Sequence, residues 1–194
     1  MRKISPRQSL PGRGDVRNRG GAARGRRCAR WQVVGAKGPQ PESPERRLKE
    51  LGIELHASPT PFGSYVEAIQ TGNLLFLSGM LPVINHKPKY LGRLGKEFDA
   101  EAGRDAAYTA TLGALAAAKE HLGSLNRVIR VIRHGVFIAP SGDFFDQPKV
   151  ADGASDLLRD VFGIEKMSAR SVVGVASLPL GVPIEVEVVF EVET

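Results

Sequence analysis

From Ile184 to Glu193 apolar and acidic residues alternate. Ile184, Val186, Val188, Phe190 and Val192 fall on one side of an extended chain and Glu185, Glu187, Glu191 and Glu193 on the other, broken only by Val189. A period of two predicts a strand over residues 184–192 with one buried and one acidic face. A second strand is predicted over residues 169–177, joined to the first through Leu178-Pro179-Leu180-Gly181-Val182-Pro183. Residues 128–139 are rich in β-branched side chains, interrupted by Arg130 and Arg133, and read as a long strand. Residues 65–70 and 74–78 flank the turn signal Thr71-Gly72-Asn73 and predict a hairpin.

Helical spacing replaces alternation in two stretches. One starts at Asp99, a plausible N-cap, carries Ala106, Ala107, Ala110, Leu112, Leu115, Ala116, Ala118 and Leu122, and stops at Gly123. The other carries Val150, Ala154, Leu157, Leu158, Val161 and Phe162 and stops at Gly163. Residues 46–55 read as a short helical or irregular lead-in, and residues 80–97, with Pro82, Pro88, Gly92 and Gly95, as a long loop. The order β-β-α-β-α-β-β predicts an α+β domain with two helices packed on one face of a mixed sheet. A sheet face left open would be covered by further copies of the chain.

Charge divides the chain at residue 45, with 11 Lys and Arg against 3 Asp and Glu up to that point and 16 against 18 beyond it. The basic balance therefore belongs to a tail. The near-neutral remainder, residues 46–194, makes one domain and argues against a nucleic-acid-binding surface. Residues 1–45 are rich in Arg, Gly and Pro and are expected to be disordered, because they cannot bury enough surface to offset their ordering entropy. A basic RNA-binding arm, a transit peptide, a membrane-surface anchor and upstream sequence read from a start codon placed too early remain open for them. Gly12, Gly14, Gly20, Gly21 and Gly25 weaken the helix that the second and third need. Cys28, the single cysteine, lies in the tail, which fits a reducing, cytoplasmic setting. No run of about 18 apolar residues suggests a membrane span.

His56, His86, His121 and His134 show no metal-ligand spacing, and no nucleophile elbow, Walker loop or dinucleotide fingerprint occurs, so neither metal nor cofactor is expected. Arg170 opens a strand of small and apolar residues, and Glu185 opens the next. An Arg at a strand start can be an ordinary surface charge. Were the two strands antiparallel neighbours turning at residues 178–183, the two groups could also come close across a subunit boundary. There the guanidinium would fit a carboxylate through two parallel hydrogen bonds, and its charge would keep Glu185 ionised and able to hold a water.

Ala169-Arg170-Ser171 through Leu178-Pro179, followed by Ile184-Glu185-Val186-Glu187, resembles the C-terminal signature of the YjgF/RidA family. Gly63-Ser64-Tyr65 and Gly72-Asn73-Leu74-Leu75-Phe76-Leu77-Ser78-Gly79 support the resemblance, which spans about residues 60–192. It implies a chorismate-mutase-like fold assembled as a homotrimer with ligand clefts between subunits. It also implies hydrolysis of reactive 2-imino or 2-enamino acids to 2-keto acids and ammonia without a cofactor. Arg170 would grip the substrate carboxylate, Glu185 would position the attacking water, and Tyr65, Ser78 and Gly79 would line the pocket. Met80, Ser64 and Ser155 stand where the family usually has Gln, Pro and a pocket Asn. Residues 147–158 look like a side branch labelled endoribonuclease L-PSP/chorismate-mutase-like. A regulatory protein that binds a small carboxylate metabolite without turnover, and an endoribonuclease, are the alternatives.

Overall fold

The structure, a computed structural model, describes residues 43–194, and the expectations for residues 1–42 lie outside the described residues. Helix α1 (Pro44–Glu50) is capped by Ser43, whose side chain accepts from the Arg46 amide. Glu45 accepts from Lys119 Nζ at 2.8 Å and from the Leu125 amide at 3.1 Å. Pro44 and Glu45, assigned to the tail by composition, therefore belong to the folded part.

Five strands form one mixed sheet: β1 (Ala68–Thr71), β2 (Leu74–Leu77), β5 (Val128–Ile138), β6 (Ala169–Gly174) and β7 (Ile184–Val192). A separate hairpin of β3 (Val83–Ile84) and β4 (Lys87–Pro88) occupies part of the expected long loop. Its two turn residues, Asn85 and His86, are both left-handed, at φ 51° and 61°, the conformation that a two-residue turn between twisted strands demands. Helix α2 (Ala100–Leu122) starts where expected, with Asp99 accepting from the Ala102 amide at 2.8 Å, and stops at left-handed Gly123. Helix α3 (Gln147–Phe162) ends at Gly163.

Both long helices lie on one face of the sheet, α2 against β2 and β7 and α3 against β5 and β6. The core forms between them, with Leu75, Val136, Ile138, Val186, Val188 and Phe190 from the sheet and Leu115, Leu157, Leu158 and Phe162 from the helices. Buried alanines along α2 let it approach its neighbours closely. Gly153 carries this furthest, since a Cβ there would stand 2.1 Å from the Arg104 carbonyl oxygen.

The spatial order is β1-β2-β7-β5-β6, so the condition that the last two strands be antiparallel neighbours is not met. β5, α3 and β6 form a parallel crossover that leaves β6 at the sheet edge, and β7 enters between β2 and β5. Residues 178–183 thus carry the chain past the end of β5, where the Ala139 amide donates to the Pro183 carbonyl. On the face without helices, Ile69, Phe76, Val189 and Arg133 share one register row across four strands. Ile69 and Phe76 are 61% and 39% exposed there, a concentration of apolar surface that favours cover by a partner.

Candidate functional site

After β2 the chain stays beside β7. The Met80 and Val186 amides each donate to the other's carbonyl, at 2.8 and 2.9 Å, and the Glu185 side chain lies against Gly79 beside this bridge. A Cβ on Gly79 would stand 1.8 Å from Glu185 Oε1. Only a residue without a side chain lets the carboxyl lie where it does. On the other flank, Ser78 Oγ donates to the Val66 carbonyl at 2.6 Å, and Tyr65 Oη accepts from the Phe62 amide at 3.2 Å, which curls the entering segment inward.

These contacts enclose a cavity of about 460 Å³ lined by Phe62, Gly63, Tyr65, Ser78, Gly79, Leu81, Pro179, Leu180 and Glu185. Four of the five residues selected from the sequence, Tyr65, Ser78, Gly79 and Glu185, meet in it. Leu180 at its rim has φ 55°, a conformation costly for a branched side chain and one that no local sequence signal announces. Burial pushes the Glu185 carboxyl above the usual carboxylate range, and the Glu187 charge adds to the effect. The expectation that a nearby Arg keeps Glu185 ionised does not hold within one chain.

Arg170 lies elsewhere. Its register partner on β5 is His134, whereas that of Glu185 is Phe137. An offset of three along one strand is odd, so the two side chains leave the sheet on opposite faces. Arg170 turns to the helix side, where Nη1 donates to Asp152 Oδ1 at 2.7 Å and to Ser155 Oγ at 2.9 Å, both on α3. Ser155 Oγ lies 3.1 Å from His134 Nε2, and His134 Nδ1 lies 2.6 Å from Ser168 Oγ. Burial, with the Arg170 charge adding to it, lowers the His134 pKa to about 4, so the imidazole is neutral at pH 7.

Neither His134 nor Asp152 was selected from the sequence. His134 shares the core face of β5 with Val136 and Ile138, a parity that could have marked it as buried. Asp152 resembles any other carboxylate on a helix until strand order is known. A second cavity of about 390 Å³, among α2, the β3–β4 hairpin and residues 56–60, contains none of the selected residues. Among the described residues, no three His, Cys, Asp or Glu side chains are grouped to hold a metal ion, and no helix is long and apolar enough to cross a membrane.

Residues 45–191 match a protein family described as "YjgF/chorismate mutase-like, putative endoribonuclease". Protein TCP17 of Trypanosoma cruzi is 39% identical over 145 residues, 74% of this chain and 91% of that one. A 2-iminobutanoate/2-iminopropanoate deaminase of Dermatophagoides farinae is 28% identical over 142 residues, 73% of this chain and 95% of the relative. The crystal structure of a Shewanella oneidensis protein, also described as a "putative endoribonuclease", superposes with a TM-score of 0.75 at 31% identity, covering 77% of this chain and 99% of that one.

Proposed function

Because the chain belongs to the YjgF/RidA family of chorismate-mutase-like proteins, we propose that it hydrolyses reactive 2-imino and 2-enamino acids to 2-keto acids and ammonia. The reaction takes place in clefts between three copies of the chain. One observation carries the reading: a half-buried carboxyl of raised pKa, Glu185, shares a cavity with Tyr65, Ser78 and Gly79. The name of the Dermatophagoides farinae relative supports the substrate class.

The chemistry asks little of the protein. Water adds to the iminium carbon, a C–O bond forms, the C–N bond breaks, and both of the water's protons end on the departing nitrogen, giving a keto acid and ammonium. Glu185 accepts a proton from the attacking water and returns it to the nitrogen, a task suited to a carboxyl whose pKa lies closer to neutrality. Arg170 supplies the carboxylate anchor from a neighbouring copy, since within one chain it faces the other way. The edge strand β6 and the exposed row at Ile69 and Phe76 are surfaces on which such a neighbour could dock. The same proposal includes a reducing, cytoplasmic setting.

The test supplies imino acids generated in place by an amino-acid oxidase and follows the release of keto acid and ammonia. A lost charge-assisted hydrogen bond of about 1.5–3 kcal/mol makes kcat/KM of Arg170→Ala roughly 10- to 100-fold lower. Equal rates for the two proteins remove the assigned role.

The departure of Arg170 and Glu185 from opposite faces of the sheet favours a second reading, a protein that binds a carboxylate metabolite without turnover. It predicts ligand-dependent thermal stabilisation with no product. The endoribonuclease reading has less support, since the folded part carries 16 basic against 18 acidic residues beyond residue 45.

A further inference from the structure

Arg170 does not wait empty for a substrate. Its Nη1 is bonded to Asp152 Oδ1, and the pair is partly open to solvent, with side-chain exposures of 29% and 45%. Among the described residues, Arg170 Nε and Nη2 and Asp152 Oδ2 have no hydrogen-bond partner. Ser155, nine-tenths buried, fixes the guanidinium from behind, and neutral His134 fixes Ser155. A cationic edge and an anionic edge are therefore held side by side on a rigid backing.

A simple carboxylate meets no net attraction at such a pair, because Asp152 cancels much of the Arg170 charge at close range. A zwitterion does better. When one carbon bears both a carboxylate and a cationic nitrogen, the first can take the free guanidinium edge while the second faces Asp152.

Resting on the carboxylate-anchoring role given to Arg170 above, we propose that Asp152 makes the site select α-iminium and α-amino acids over 2-keto acids. The substrate then carries both complementary charges and the product only one. Hydrolysis removes the cation that Asp152 recognises, and the product leaves.

The experiment measures calorimetric dissociation constants of the full chain at low salt for L-2-aminobutanoate and 2-oxobutanoate, which share a carbon skeleton. Wild type binds the amino acid about 10-fold more tightly, roughly the value of one charge-assisted hydrogen bond that is partly open to solvent. Asp152→Asn, which keeps size and shape, reverses the order by weakening the amino acid and strengthening the keto acid. Asp152→Ser repeats the measurement if the first variant folds poorly. An equal change for both ligands in the Asp152 variants means that Asp152 merely holds Arg170 in place, and overturns the inference while the anchoring role stands. Unchanged binding of both ligands to Arg170→Ala, or no binding of either to wild type, overturns the anchoring role and the inference with it.

Discussion

Gly79→Ala would test the geometry of the Glu185 pocket by adding a single carbon. The new Cβ would lie 1.8 Å from Glu185 Oε1, 2.8 Å from its Cδ and 3.1 Å from its Cγ. Separations under 3.0 Å are not tolerated, so the carboxylate must retreat by about 1.2 Å or more. The obstructed atoms are the far end of a flexible side chain, and the Met80–Val186 bridge does not pass through them, so the fold should lose at most about 1 kcal/mol. Catalysis should lose more, since a displacement near 1 Å of a reacting group costs roughly 100-fold. The carboxylate would also move toward water, which returns its pKa toward the ordinary value. The assay is kcat/KM for in-place generated imino acid across pH 4–8, with a melting curve beside each measurement. The expected result is about a 100-fold loss and an acid limb shifted to lower pH. An unchanged kcat/KM in a protein that melts normally would refute the assignment of Glu185 to the reacting water.

Glu185→Gln keeps the shape of the group and removes its proton chemistry. Its kcat should fall about 10²- to 10⁴-fold while 2-oxobutanoate still binds, and the wild-type activity should decline with falling pH above the usual carboxylate range because Glu185 must be deprotonated. His134 is held neutral in the fold with a pKa of about 4, against 6.5 for a free imidazole. Its contribution is therefore complete above pH 6.5 and is lost as pH falls toward 4; urea unfolding should record about 3 kcal/mol over that window, and His134→Asn should flatten the dependence. Phe76→Asp places a charge in the exposed apolar row and should turn the proposed trimer into monomers by light scattering without lowering helix content, whereas an unchanged mass would remove that row from the interface.

Strand β7 was legible to its ends, because alternation over residues 184–192 has one reading and the observed strand has the same bounds. Helix α2 was equally plain, since an N-cap, an alanine-rich face and a terminating glycine agree. Strand β1 was misplaced, being predicted at 65–70 and found at Ala68–Thr71: Tyr65 is drawn into a turn by its bond to the Phe62 amide, a contact that periodicity does not encode. Strand β6 stops at Gly174 because β5 stops at Ile138, leaving one last amide bond from Val175. The site divided along the same line. Tyr65, Ser78, Gly79 and Glu185 were grouped by the family resemblance, and β2, β7 and the segment that closes on them bring the four into one cavity. Arg170 depends on strand order, and order is fixed by a crossover whose partner strand no window of sequence reveals.

The odd register offset between Arg170 and Glu185 has a genetic consequence. If each cleft borrows its guanidinium from one copy and its carboxyl from the next, an Arg170→Ala chain and a Glu185→Gln chain are each impaired in every cleft alone, yet each still holds the half that the other lacks. Unfolded together and refolded, they should recover activity in about a quarter of the clefts, those in which an intact Arg170 happens to meet an intact Glu185. Complementation between two impaired alleles is a behaviour that a site built within one chain could not show.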